Sequence, residues 1–188
     1  MILHPASRSR RLGLFGSSPA DPLVTTLARR LDDDYHWFRS ISSGGMEPID
    51  AVLVGPGGTW TLSFAGQRGR FTLRNGHWYQ WNRSTESWVP WEPLPITAAR
   101  LAGRRLSLYL ERAGLPASVS PILLAPADMS VQVEARDRLG LMVEREPDRI
   151  ASLMSGQAQL TQAQVDRIVA LLDPRQPLPR LAPSTPNG

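Results

Sequence analysis

Pro48-Ile49-Asp50-Ala51-Val52-Leu53-Val54-Gly55-Pro56-Gly57-Gly58-Thr59-Trp60-Thr61-Leu62-Ser63-Phe64-Ala65, running on to Gly69-Arg70-Phe71, is the stretch whose reading decides the fold. Two apolar, β-branched runs flank Gly55-Pro56-Gly57-Gly58, and that turn chemistry between strand formers predicts a hairpin. In the second run Trp60, Leu62 and Phe64 are expected to face one way and Thr61, Ser63 and Ala65 the other.

Downstream, 69–73 and 77–81 are expected to pair across Asn75-Gly76, a type I′ turn signal. A second turn over 82–87 leads into Trp88-Val89-Pro90-Trp91, so that Trp78, Trp81, Trp88 and Trp91 crowd one meander. Pro93 and Pro95 precede a helix expected to run to Ala113, with Ala99, Ala102, Leu106, Tyr109 and Ala113 as its apolar stripe and Gly114 after its end. Strands are expected at 119–125, 131–134 and 139–143, then a short helix at 147–155. Thr161-Gln162-Ala163-Gln164 has the spacing of a capping box, starting a helix through Leu172 that carries Val165, Ile168, Val169 and Leu172 on its apolar face.

Upstream, Ser18-Pro19-Ala20-Asp21 reads as a helix start, followed by Val24, Leu27, Ala28 and Leu31 at core spacing. Asp32-Asp33-Asp34 reads as a solvated turn, because consecutive carboxylates at a helix end point in different directions. Residues 35–41 are the expected first strand and 42–45 the turn into the hairpin. The segment 1–17 carries Arg8, Arg10 and Arg11 and reads as a flexible arm. The last fifteen residues, 174–188, hold five prolines and read as a disordered tail. Between them, 18–173 reads as one α/β domain with a mixed central β-sheet flanked by helices.

The composition narrows the chemistry. A chain of 188 residues with 41% hydrophobic and 20% charged content is an ordinary globular one with enough length for a sizeable core. No apolar run approaches the roughly 20 residues of a membrane helix, and the opening residues lack the apolar stretch of a secretory signal. A cytoplasmic location without membrane association is expected. With no cysteine, disulfides, thiolate metal sites and cysteine nucleophiles are excluded. All 21 basic residues are arginine, as GC-rich bacterial genomes favour, so no lysine can serve as a base or cradle phosphate. The net charge of +4 permits nucleic-acid binding without demanding it.

The stretch Ile49-Asp50, Val52-Leu53-Val54-Gly55-Pro56-Gly57-Gly58 and Gly76-x-Trp78, with the proline-led helix that follows, resembles the nuclease-related domain (NERD) family from about 21 to 172. The resemblance implies a restriction-endonuclease-like fold and a metal-dependent nuclease site. Family members show Glu-Ile-Asp, then a strand bearing Glu-x-Lys with a glycine four residues after the lysine. Gly69 stands four residues after Ala65, which sets the alignment. The resemblance therefore assigns Ser63 to the glutamate position, Ala65 to the lysine position and Pro48, beside Glu47, to the first glutamate. Within Pro95-Ile96-Thr97-Ala98 it puts Ala98 where the family has glutamine. Asp50 alone keeps its identity, as a catalytic remnant, while Asp21 aligns loosely with an acidic residue of the first helix. Such nucleases need several carboxylates on Mg²⁺ and a cation near the attacking water. A serine, two alanines and a proline cannot supply them.

The expectation is a catalytically inactive nuclease-like protein that binds nucleic acid, DNA in the first instance and single strands included, or acts as an assembly module in DNA repair or mobile-element processes. The candidate contacts are Arg68, Arg70, Arg74, Trp78, Trp81, Arg83, Arg100 and Arg104, with no metal or other cofactor. Arginines interleaved with aromatic rings can hold phosphate while unpaired bases stack. Cross-strand aromatic packing that merely stabilises the meander is the structural alternative. Two other functions stay open. One is a divergent nuclease using Mg²⁺ on Asp50, Glu47 and a remote carboxylate such as Asp21 or Glu92. The other is a protein-interaction module with no affinity for nucleic acid. Homo-oligomerisation or a protein partner is also left open.

Overall fold

The computed structural model describes residues 1–4, 22–42, 47–135, 137 and 139–173. In chain order they form β1 (Ile2–Leu3), α1 (Pro22–Arg30), β2 (His36–Ile41), β3 (Ile49–Gly55), β4 (Gly58–Phe64), β5 (Gly69–Arg74), β6 (His77–Asn82) and β7 (Ser87–Pro90). There follow α2 (Leu94–Arg112), β8 (Val119–Leu124), β9 (Met129–Val133), β10 (Met142–Glu144), α3 (Pro147–Met154) and α4 (Gln162–Leu172). The chain is mixed α/β, as its pattern predicts, but it builds two sheets in place of one central sheet. A six-stranded sheet runs β1-β2-β3-β4-β8-β10 and a four-stranded sheet runs β7-β6-β5-β9.

The hairpin lies at the middle of the larger sheet. Its strands β3 and β4 are antiparallel from Gly55↔Gly58 to Ala51↔Leu62, and β4 pairs in parallel with β8 on its other side. Helices cover both faces, which is why β4 is buried along both of its sides and reads as a long apolar run. On one face Trp60 and Leu62 join Trp37, Leu53 and Ile122 under α1 and α3. On the other, Phe38, Val52 and Val54 meet Ala102, Leu106 and Leu110 of α2 and Val165, Ile168 and Leu172 of α4. Phe64, expected on the first face, ends the strand 43% exposed.

The second sheet arises where the chain leaves this ladder after Phe64. Gly69 takes a φ of +122°, which suits a residue without a side chain, and β5 then pairs with β6 and β9 instead of continuing β4. Asn75 and Gly76 both have positive φ, as a type I′ turn requires. The inner face of this sheet, with Phe71, Trp78 and Trp91, packs on Ile96 and Ala99 of α2 and Leu123 of β8. The N-terminal half of α2 thus ties the two sheets together.

Several sequence expectations are corrected by this packing. In α1 and the residue that follows it the buried row is Leu23, Leu27 and Leu31, an i, i+4 set, whereas Ala28 is exposed. In α2 the buried set is Ile96, Ala99, Ala102, Gly103, Leu106 and Leu110, and Ala113 is exposed at the C-cap. A helix that faces two layers buries a broader arc than a single stripe. Ile2 and Leu3, expected in a flexible arm, pair in parallel with His36 and Trp37. The rest of that arm, the helix start at 18–21, all but Ser42 of the turn expected at 42–45, and the tail at 174–188 lie outside the described residues. The capping box is present as read, with Gln164 N donating to Thr161 Oγ1 at 3.4 Å and Thr161 N donating to Gln164 Oε1 at 2.8 Å.

The hairpin turn is held by close approach. A Cβ on Gly55 would stand 2.2 Å from the Tyr35 ring, and one on Gly57 would stand 2.0 Å from the Met154 carbonyl oxygen. The Tyr35 hydroxyl donates to that same carbonyl at 2.7 Å, and burial pushes its pKa up. Gln159 N and Leu160 N both donate to the Pro56 carbonyl, at 2.8 and 3.0 Å. Gly57→Ala is therefore expected to destabilise the fold by about 3 kcal/mol, because the obstacle is backbone that cannot rotate away. Gly66→Ala, where a Cβ would meet nothing within 4 Å, should stay within about 0.5 kcal/mol of wild type. Chemical denaturation of the two variants checks the contrast.

A second expectation concerns pH. His36 Nδ1 lies 3.0 Å from His4 Nε2, and burial lowers the His36 pKa despite the opposing pull of Asp166 and Asp34. A histidine whose folded pKa is depressed contributes stability that is complete above its unfolded value of about 6.5 and is lost as pH falls below it. Thermal melts should show wild type losing more stability than His36→Gln as the pH is taken from about 7.5 to about 5.5. Parallel curves would refute this.

Candidate nucleic-acid interface

Two places carry the residues singled out from the sequence, and they lie on different sheets. The first is the end of the β3–β4 hairpin. Asp50 stands one step beyond the last paired residues, Ala51 and Leu62, so continuing the register sets it opposite Ser63. Its Oδ2 accepts the Phe64 backbone N–H at 3.1 Å, which caps the open end of the ladder. The expected polar face of β4 is interior: Thr59, Thr61 and Ser63 are each no more than 9% exposed. The hydroxyls of Thr59 and Thr61 are buried with no hydrogen-bond partner among the described residues. Ala65 is half-buried at the end of that face, and Ala98 is exposed on the first turns of α2.

The carboxylates offered as alternative metal ligands do not gather here. Glu47 Oε2 is 2.5 Å from Arg105 Nη2 of α2, an ion pair that engages this carboxylate. Glu92 lies beyond β7 and is exposed, and Asp21 is outside the described residues. Among the described residues no three His, Cys, Asp or Glu side chains come together.

The second place is the outer face of the four-stranded sheet. Cross-strand partners share a face, and Leu73↔Trp78 puts Trp78 on the inner one. There it meets Trp91 edge-on at 5.8 Å, and Trp91 lies 4.2 Å from Phe71. These two tryptophans are core packing. The alternate residues point outward: Thr72↔Tyr79, Arg74↔His77, Tyr79↔Pro90 and Trp81↔Trp88, with Arg70 on the same side of β5.

On that face the Trp81 and Trp88 rings meet edge-on at 5.4 Å. The Arg70 guanidinium carbon lies 5.5 Å from the Trp81 ring centre and 5.8 Å from that of Trp88, and the Arg74 guanidinium carbon lies 5.0 Å from Trp88. Each contact is within the reach of a cation–π attraction, worth about 0.5–1 kcal/mol at exposed sites. Arg74 Nε has Glu134 at 3.9 Å, while Arg70 has no carboxylate partner among the described residues. Two arginines and two indoles therefore form one outward cluster, with Arg70 exposed and Arg74, Trp81 and Trp88 half-buried.

The remaining candidates scatter. Arg68 pairs with Asp128 at 3.1 Å just before β5. Arg83 is exposed in the turn between β6 and β7. Arg100 and Arg104 are exposed on α2, where the Arg100 guanidinium lies against Gly140. A surface groove of about 620 Å³ lies elsewhere, beside β10 and α3, and Glu144 within it is held by Arg149 Nε at 3.5 Å and the Arg145 backbone N–H at 2.9 Å. Trp88 and Tyr79 are the members of the stack face missing from the sequence-derived set. The signal that finds them is hairpin register: a turn over 83–86 sets Trp88 opposite Trp81.

No protein-family model matches this chain, and no curated protein or solved structure matches it.

If Asp50 acts as a ladder cap, Asp50→Ala should lower stability by about 1 kcal/mol and Asp50→Asn, which keeps an acceptor oxygen, by less than half of that. Denaturant titration distinguishes them, and equal losses would remove the capping role.

Proposed function

We propose that this chain is a nuclease-like protein of restriction-endonuclease-like architecture that binds DNA and does not cut it. The observation that carries the reading is the outward stack of Arg70, Trp81, Trp88 and Arg74. Guanidinium groups bind phosphate through in-plane N–H donors while their flat faces rest on rings. An aromatic layer beneath them adds the π surface that bases use.

The absence of cleavage is supported by chemistry at the hairpin end. Mg²⁺ is a hard cation that needs several anionic oxygens. Asp50 is engaged by the β4 backbone, Glu47 by Arg105, and Ser63 and Ala65 bring no charge. A divergent active site built on Asp50 and Glu47 would first have to break that ion pair. The NERD resemblance supports DNA as the nucleic acid, since it implies an ancestor that acted on it.

The test is a joint binding and cleavage assay on a DNA panel with and without Mg²⁺ or Mn²⁺. The expected outcome is no strand scission. Affinity should fall linearly as salt rises, with a log–log slope of about −2 if Arg70, Arg74 and Arg83 each meet a phosphate, at about 0.7 per contact on single strands. Metal-dependent cleavage lost in Asp50→Ala would overturn the reading, as would no binding at low salt.

A further inference from the structure

We infer that the outer face of the four-stranded sheet is a stacking platform for single-stranded DNA, with unpaired bases laid over the Trp81–Trp88 pair and Arg70 directed to the phosphates. This deepens the proposed function and rests on its assignment of DNA as the partner.

The argument starts from what the two faces of the sheet do. The inner tryptophans, Trp78 and Trp91, are accounted for by the core they share with Phe71, Ile96 and Leu123. Tyr79, Trp81 and Trp88 belong to none of the core clusters. They face outward, half-buried beside arginines, and the ring surface that the guanidinium groups leave open is apolar area that a partner can cover. On β6 the aromatic positions Tyr79 and Trp81 are two residues apart, so their attachment points are separated by about 6.8 Å along the strand. Rings at that interval suit splayed successive bases.

The charge of the face is complementary to a polyanion. Arg70 is exposed, has no carboxylate partner among the described residues, and holds its guanidinium carbon 5.5 and 5.8 Å from the centres of the Trp81 and Trp88 rings. With no carboxylate beside it, its N–H groups can donate to a phosphate, and a guanidinium plane is itself a surface on which bases stack. Arg83, exposed in the adjoining turn, extends the positive edge past the Trp81–Trp88 pair.

A duplex cannot use this surface. Its bases are stacked on each other, so only its phosphates would meet the arginines and the indoles would gain nothing. An acidic peptide would likewise satisfy the guanidinium groups and leave the rings uncovered.

The experiment is a fluorescence anisotropy titration of the full chain with four probes at matched salt. These are a short mixed-sequence DNA single strand, the same strand annealed to its complement, the RNA strand of the same sequence, and polyglutamate as competitor. The single DNA strand should bind at least about tenfold more tightly than the duplex, and it should perturb tryptophan emission. Trp88→Ala should weaken single-strand binding by roughly 5- to 100-fold while changing duplex binding by less than about twofold. Arg70→Gln, a change at an exposed position that leaves the rings in place, should lower the single-strand salt slope by about 0.7. It keeps the test decisive should Trp88→Ala not fold. Equal affinity for single strand and duplex, or a folded Trp88→Ala with unchanged binding, would overturn the platform while DNA binding itself stands. Tighter binding of the RNA strand, or displacement by polyglutamate at equal charge concentration, would also overturn it. Binding to neither form of DNA would remove the proposed function as well.

Discussion

Missing side chains at Gly55 and Gly57 let the central hairpin seat against the rest of the chain. With no Cβ at either position, the turn closes onto the Tyr35 ring and the carbonyl of Met154. The same carbonyl takes the Tyr35 hydroxyl, so one contact joins the start of β2, the hairpin turn and the end of α3. The Pro56 carbonyl then receives two backbone donors from the segment leading into α4. Once β3 and β4 are fixed there, both faces of the larger sheet have their covering helices in place, and β8 can dock in parallel along β4. Interiors packed at crystal-like density leave no room for an added methyl group against backbone.

The position of the outer arginine–tryptophan face follows from that arrangement at one remove. The chain leaves the larger sheet after Phe64 and turns through Gly69. It then returns as an amphipathic meander whose inner residues, Phe71 and Trp78, need a partner. The N-terminal half of α2 provides it, using Ile96 and Ala99. Because alternate residues of a strand point to opposite sides, burying Phe71 and Trp78 forces Arg70, Tyr79 and Trp81 outward. The exposed stack is thus a geometric consequence of core formation on the opposite face.

At the hairpin end the polar side chains are engaged within the fold. Asp50 accepts a backbone N–H and helps terminate the ladder. The Arg105–Glu47 pair links α2 to the approach to β3. Buried, unpartnered hydroxyls at Thr59 and Thr61 sit on the same side of β4 as Ser63. That interior face is more polar than its packing requires.

Local chemistry was legible in the amino-acid sequence. The Gly55–Gly58 turn, the Asn75-Gly76 turn, the Thr161 capping box and the mixed α/β pattern all depend on residues adjacent in the chain, and each appears where those residues stand. Two sheets in place of one, the Leu23–Leu27–Leu31 row, the pairing of Ile2–Leu3 with β2 and the division of the four meander tryptophans were not legible. Each depends on which distant surface covers a given face. A tryptophan at 78 and one at 81 have the same chemistry, but they stand three positions apart along the strand, an odd step that puts them on opposite faces. The docking of α2 then decides that the first is core and the second is surface. By itself the sequence determined the central hairpin, its turns and the main helices, whose signals lie in neighbouring residues. Only the tertiary structure decided where the aromatic and basic side chains meet, because that juxtaposition is set by sheet register and long-range packing.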